Sequence, residues 1–285
     1  MQFKKEYANL TDSEKCRILK QYKLEIKYAT KLKNTPNPER ASLYKILYDD
    51  FYKKLPDNPI KLKTRNKNYV NERTQRQIKF LSPFLKKYTN FIEIGSGDFS
   101  LTISLSPYVN YIMGIDVSDE NISDEWIIPK NVEIYIASDS TSMPNKNHFF
   151  HIAYSNQLLE HFHPEDLDIH LSNVYNLLKN KGIYVFQTPH KFFGPHDVSK
   201  FFHNEAVGFH LKEYSNLELY LVLNKAGFRR IKLLTGIKGH RIYLPIQLSI
   251  IVELFLSIFP YSLKKYLSLL TIFRKFINGH VIATK

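Results

Sequence analysis

The sequence predicts an α/β protein: an open, doubly wound, mostly parallel sheet of seven strands, with a helical N-terminal extension and a helical insertion before the last strand. Three observations carry that prediction. From Phe91 onward, short apolar runs alternate with helix-patterned stretches. The first run passes directly into a glycine turn, Gly95-Ser96-Gly97. A last apolar run, His280 to Thr284, closes the chain after a long apolar segment.

The elements follow in order. Residues 11–31 and 38–55 read as helices, parted by Asn34-Thr35-Pro36-Asn37-Pro38, and Leu55-Pro56-Asp57-Asn58-Pro59 ends the second. A strongly basic stretch leads into a third helix near 70–88. Strands are expected at 91–94, 111–116, 132–137, 149–155 and 182–188, a helix near 213–226, and strands at 228–236 and 280–284. Residues 1–88 thus read as an extension or cap and 89–285 as the sheet domain, with 238–275 inserted.

The insertion is unusual. Between Leu244 and Leu263 the only charge is Glu253, and Pro245 and Pro260 leave 14 residues between them. A helix needs about 20 to cross a bilayer, so no transmembrane span is expected. Ser249, Glu253 and Ser257 recur every four residues, one polar stripe on an otherwise apolar helix. Such a helix either packs as a cap on the domain or lies in a membrane interface.

Composition narrows the classes. The chain is 44% hydrophobic, enough for a packed core, and Cys16 is its single cysteine, which excludes an internal disulfide and a Cys-built metal site. The N-terminus is polar, with no apolar signal region, so a cytoplasmic location is expected, peripheral at the inner membrane face if the insertion meets lipid. Residues 1–90 hold 22 Lys/Arg against 9 Asp/Glu, and the remainder 18 of each, so the net charge of +13 belongs to the first third. That is either a solvated helical surface or a face for RNA, anionic lipid or an acidic substrate.

The chemistry is concentrated after the first strand. In Phe91-Ile92-Glu93-Ile94-Gly95-Ser96-Gly97-Asp98-Phe99-Ser100 the glycines allow a sharp turn and close approach of a ligand at the carboxyl end of the strand. Glu93 is costly to bury alone, and a cationic ligand amino group is a partner for it. Asp116 ends the second strand nineteen residues after Gly97, where an acid can accept from two ribose hydroxyls. A dinucleotide fingerprint wants Gly or Ala at the position of Ser100, so hydride-transfer cofactors fit less well.

On these residues the chain resembles the class I S-adenosylmethionine-dependent methyltransferases, in particular the methyltransferase type 11 group that includes the ubiquinone and menaquinone biosynthesis enzymes. Residues 90–190 carry the resemblance, and the strand pattern extends it to Lys285. Of the family's E-x-G-x-G-x-G, Glu93, Gly95 and Gly97 match, and Phe99 replaces the last glycine. The resemblance implies S-adenosylmethionine as cofactor, with Glu93, Gly95, Ser96, Gly97 and Phe99 around its methionine end. It implies Asp116 and Val117 at the ribose, Asp139 and Ser140 at the adenine, and Asn156, Gln157, Leu158 and His161 lining the site.

The segment Leu177-Leu178-Lys179-Asn180-Lys181-Gly182 stands where the family turns into strand five, and the family's antiparallel last strand fits residues 280–284. Some quinone-pathway relatives hold a divalent metal through two acids and the His of the Leu159-Glu160-His161 segment. Gln157 stands at the first acid position here, and His190, His196, His203 and His210 match no usual ligand spacing, so no metal is expected.

Beyond strand five, the runs Gly194-Pro195-His196-Asp197-Val198-Ser199 and Gly208-Phe209-His210-Leu211-Lys212-Glu213-Tyr214 resemble a bacterial branch of the family. Methyl transfer to a hydroxyl needs alignment and removal of a proton. His196 backed by Asp197 is the first candidate base and His190 the second; the other reading is a loop histidine bonded to backbone. The N-terminal helices and the apolar insertion are expected to close together over the pocket, which suits a small-molecule, lipid-linked or glycan acceptor. RNA suits the basic third, and a non-catalytic cofactor-binding interaction protein shares the same motifs.

Overall fold

Four helices precede the sheet in the computed structural model, which describes residues 2–119, 122, 126–237 and 240–285. Thr11 and Glu14 form a reciprocal capping box that starts α1, Asp12–Asn34. Helices α2 (Glu39–Lys54), α3 (Pro59–Thr64) and α4 (Lys67–Leu81) follow. Helix α4 is shorter than expected, because Ser82 and Pro83 turn the chain into a 3-10 helix. Helices α1 and α2 pack through Tyr28, Leu32, Tyr44, Leu47 and Phe51, and the loop residues Phe209 and Leu211 complete that core.

The sheet comprises β1 (Asn90–Ile94), β2 (Tyr111–Asp116), β3 (Val132–Ile136), β4 (Phe150–Asn156), β5 (Leu178–Gln187), β6 (Arg230–Ile237), β7 (His240–Pro245) and β8 (His280–Thr284), with α5 (Ser100–Leu105), α6 (Pro164–Leu177) and α7 (Asn216–Lys225) between strands. Its order is β3-β2-β1-β4-β5-β8-β6-β7. The first five run parallel, and β8 lies antiparallel between β5 and β6. The seven expected strands are present. An eighth, β7, pairs with β6 as a hairpin at the edge, in a stretch the sequence assigned to the insertion. The turn expected before β5 is instead a bulged start to the strand, with Lys181 at φ +64°.

Alternation along the buried strands builds two cores. Ile92, Ile94, Met113 and Ile115 face α6 and α7; Phe91, Ile112, Ile152 and Tyr154 face α4 and α5. The N-terminal helices are tied to this body by a buried ion pair. Arg40 on α2 donates from Nε and Nη2 to the two Asp166 oxygens at 2.7 and 2.8 Å, at the first turn of α6.

After β7 come α8 (Ile246–Ser257), α9 (Tyr261–Leu269) and α10 (Thr271–Arg274); the expected start of the insertion at 238 lies outside the described residues. Two residues of α8's polar stripe, Ser249 and Glu253, face inward, while Ser257 is exposed. Ser249 accepts from Asn216 Nδ2 at 2.7 Å, and Glu253 accepts from the backbone N–H groups of Asn216 and Leu217 at 2.6 and 3.0 Å, capping α7. Leu248, Ile251, Leu254, Phe255 and Ile258 are left exposed. The helix therefore buries Ser249 and Glu253 beside Ile246 and Leu256 and leaves five large apolar side chains outside.

Candidate active site

A cavity of about 1090 Å³ opens at the carboxyl ends of β1 to β4, where a doubly wound sheet places ligands. Of the residues expected at the cofactor, Gly95, Gly97, Asp116, Val117, Asp139, Ser140, Leu158 and His161 line it. Its other walls come from α2, α3, α4 and the turn between the last two, through Tyr44, Tyr48, Tyr52, Lys61, Arg65 and Lys67 among others. None of the described residues of 240–275 lines it, so the expectation that the insertion closes over the pocket does not hold. Its volume stands just above the roughly 300–1,000 Å³ usual for a small-ligand pocket.

The glycine turn is built by β2. Gly95 and Ser96 donate to the Ile115 carbonyl at 2.8 and 2.9 Å, and Gly97 N–H donates to Asp116 Oδ2 at 2.8 Å. Gly95 and Gly97 both have positive φ, and a Cβ on Gly95 would meet Leu158 Cδ1 at 3.0 Å. Asp116 also accepts from Ser118 N–H at 3.2 Å; burial lifts its pKa above the ordinary aspartate value, against those backbone bonds. A carboxylate offers about four acceptor sites, so Asp116 retains capacity for ribose hydroxyls.

Asp139 is more fully engaged. It accepts from Thr141 and Ser142 through both their N–H and hydroxyl groups, at 2.7–2.9 Å. Burial would raise its pKa, but these donors outweigh it and hold the carboxyl below the usual value. Next to it, the buried Ser140 hydroxyl has no partner among the described residues, leaving it the better placed group to meet a ligand at this end.

Five expected contacts are not on the cavity wall. Glu93 points to α5, where its Oε2 accepts from Thr102 Oγ1 at 2.5 Å; burial lifts its pKa to about 8. Phe99 is fully buried at φ +57°, the left-handed conformation a glycine takes freely, and its ring lies where Gly114 leaves room. Ser96 bonds the Glu93 carbonyl at 3.2 Å. Asn156 ends β4 in register with Gln187, and Gln157, at φ +53°, donates its N–H to the Gln187 carbonyl at 2.7 Å. The acid that does line the cavity near this turn is Asp98, gripped by Arg73 Nη2 at 2.7 and 2.8 Å. Sequence reading passed over both, because Arg73 meets Asp98 only through the docking of α4 on α5.

The expected bases also lie off the cavity. His190 is buried with Nε2 2.5 Å from Glu253 Oε1, and its Nδ1 accepts from Phe192 N–H at 3.2 Å. Asp197 does not back His196; it caps a short helix, accepting from Ser199 and Gly208 N–H at 2.9 Å each. His196 instead bonds Glu213, through its N–H at 2.7 Å and Nδ1 at 3.2 Å. Of the candidate histidines, His161 reaches the cavity, with Nδ1 2.9 Å from the Tyr48 hydroxyl and 3.0 Å from the Phe209 carbonyl. Burial pushes its pKa down to about 3.

Residues 67–233 match the family model described as a methyltransferase domain, a span that begins at α4, inside the expected extension. No curated protein sequence matches the chain. Among solved structures, the methyltransferase of Haloferax volcanii in complex with the Trm112 methyltransferase activator is similar in fold, at 12% identity and TM-score 0.50, covering 75% of this chain and 90% of that one. An S-adenosylmethionine-dependent methyltransferase from Archaeoglobus fulgidus aligns at 14% identity and TM-score 0.49, over 75% of this chain and 94% of its own. Phosphoethanolamine N-methyltransferase 1 of Haemonchus contortus, solved with phosphoethanolamine and S-adenosylhomocysteine, aligns at 15% identity and TM-score 0.49 over 64% of this chain; the match spans 40% of that enzyme.

Proposed function

Because the chain belongs to the methyltransferase-domain family and is an S-adenosylmethionine-dependent methyltransferase, we propose that it methylates an oxygen of an acceptor carrying an anionic group. The observation that carries this reading is the placement of Lys61, Arg65 and Lys67 on the same cavity as the glycine turn and Asp116. The cofactor occupies the turn, with its ribose on Asp116, its adenine near Ser140, and Leu158 and Val117 packed against it. The acceptor then fills the space toward α2–α4, its phosphate or carboxylate on the three cations, and its hydroxyl facing the sulfonium methyl. In the in-line step the acceptor oxygen forms the O–CH3 bond as the C–S bond breaks, the hydroxyl proton passes to water, and S-adenosylhomocysteine leaves.

A lipid-linked acceptor is favoured by the outward face of α8–α10. Ile251, Leu254, Ile258, Tyr266 and Ile272 are exposed there. Residues 246–277 carry Lys264, Lys265, Arg274 and Lys275, and their one acid, Glu253, is buried. An apolar face with cations beside it suits an anionic bilayer surface. No helix among the described residues is long and apolar enough to cross a membrane.

Methyl-labelled S-adenosylmethionine, offered with matched acceptors that carry or lack a phosphate or carboxylate, tests the reading. Label should enter the anionic series, and Arg65→Ala with Lys61→Ala should raise KM for that series more than tenfold while leaving S-adenosylhomocysteine affinity near wild type. Equal labelling of neutral acceptors would end the proposal. Labelling of RNA instead, with affinity falling steeply as salt rises, would reassign the basic third to phosphate contacts. Flotation with phosphatidylglycerol vesicles, absent with phosphatidylcholine and lost in Ile258→Asp, is the expected membrane result.

A further inference from the structure

Helix α1 and the loop after β5 meet at a buried point that two carboxylates share. Glu25 of α1 is buried there. Its Oε1 accepts from Gln21 Nε2 at 2.7 Å and its Oε2 from Phe209 N–H at 3.2 Å, and neither donor carries a charge. Asp197 of the loop reaches the same place, accepting the Gly208 N–H at 2.9 Å. A Cβ on Gly208 would lie 2.5 Å from Glu25 Oε2 and 2.7 Å from Asp197 Oδ2. Both oxygens therefore crowd one small space and leave no room for a side chain at 208.

Titratable groups act on Glu25 from two elements: Asp197 and His210 on the loop, and Tyr48 and Tyr52 on α2. Asp197 disfavours the ionised form. His210 favours it, but its Nδ1 is already held 2.8 Å from Glu213 Oε1. Burial is the largest influence and raises the Glu25 pKa to about 7. Two ionised carboxylates this close in a buried site repel each other. A protonated Glu25 instead has an O–H that Asp197 can accept.

The contact bears on the cavity through Phe209. Its ring stacks on Tyr48, 4.6 Å between centroids, and meets Phe51 edge-on at 4.8 Å. Its carbonyl lies 3.0 Å from His161 Nδ1. Tyr48 and His161 both line the cavity, so one residue connects Glu25 to the cavity wall.

We propose that Glu25, set against Asp197 at Gly208, is a pH-responsive latch. Protonated, it holds the loop and Phe209 against α1 and the cavity wall; ionised, it lets them loosen. Linkage fixes the direction. When the loop opens, Glu25 meets water and returns to the usual 4.5, whereas in the closed latch it stands at about 7. The stabilisation from its proton is therefore complete below 4.5 and is lost as pH rises through 7. Between pH 5 and pH 7 closure should weaken by about tenfold or more. Opening deprives Tyr48 of its stacking partner and His161 of a carbonyl, whichever acceptor the cavity takes.

The test follows amide hydrogen exchange of the full, ligand-free chain from pH 5 to pH 7, corrected for the intrinsic pH dependence of exchange. In wild type, protection of residues 207–211 should lie below that of α6 and fall by about tenfold or more over this range. In Glu25→Gln, which keeps the shape and cannot ionise, most of that fall should vanish. Gly208→Ala is the second variant, since its Cβ would force Glu25 and the loop apart; its loop should be weakly protected at both ends of the range. S-adenosylhomocysteine binding is the fold check for both. Flat protection in the wild-type loop overturns the latch, as does a fall as steep in folded Glu25→Gln or Gly208→Ala as in wild type. Loop and α6 amides exchanging at one rate would also overturn it, because only global unfolding would then release Glu25. Failure of the acceptor reading would leave each of these outcomes unchanged.

Discussion

His190 Nε2 meets Glu253 Oε1 at 2.5 Å with both side chains buried, and that contact joins the loop after β5 to α8. The same carboxylate takes the first two N–H groups of α7, so one acid holds three elements. Glu253→Ala would strand all three donors. We expect it to destabilise the protein by about 3–5 kcal/mol, read from urea melts. His190→Ala, which leaves the α7 cap in place, should cost less. Equal stability of Glu253→Ala and wild type would show that the insertion is held by apolar contacts alone.

The Arg40–Asp166 pair makes a second prediction. Asp166 has no exposed surface, and it accepts from Asn37 Nδ2 and the Tyr44 hydroxyl as well as from Arg40. Arg40→Ala leaves a buried carboxylate short of its cation, at an expected cost of about 3–5 kcal/mol. Arg40→Lys should recover only part, since a single ammonium cannot make the two-pronged contact. Because α2 also walls the cavity, limited proteolysis should release the N-terminal helices in Arg40→Ala before the sheet domain is cut.

Gly114 and Phe99 are matched in size across β2 and the start of α5. A Cβ at 114 would lie 2.7 Å from Phe99 Cδ1 and 2.6 Å from Thr102 Oγ1. Gly114→Ala should therefore cost about 1–3 kcal/mol by overpacking. Combined with Phe99→Gly, the two losses should fall short of their sum by at least ~0.5 kcal/mol, the signature of a shared contact. Strict additivity in denaturant melts would disprove the match.

Glu93 predicts a pH dependence for the cofactor-free protein. Its pKa rises from the usual 4.5 to about 8 on burial, so the folded state holds a proton that the unfolded chain releases. That contribution is complete below 4.5 and is lost as pH climbs through 8. Between those limits stability should fall by up to ~1.4 kcal/mol per pH unit from this group. Glu93→Gln should flatten the profile over that window; an unchanged slope would mean that other groups set it.

Much of the site was legible because it is local. The turn after β1 needs positive φ at Gly95 and Gly97, and the acid that binds Gly97 ends the next strand, so a glycine pair and Asp116 announce each other in sequence. Glu93 was readable as a buried acid but not as one aimed at Thr102, since its facing depends on where α5 lies. The histidines misled for the same reason. His196, His190 and Asp197 look catalytic in a loop, yet each is consumed by a partner far away in the chain or by its own turn.

The sequence by itself determined the alternation of strands and helices, the glycine turn after β1, and the basic first third, because periodicity, glycine and charge act over a few residues. Only the tertiary structure decided which way α8 faces, that α2–α4 and not the insertion wall the cavity, and that Glu25 and Asp197 meet at Gly208. Those depend on the packing of elements remote in sequence, where a buried polar group takes whatever partner the fold brings within about 3 Å.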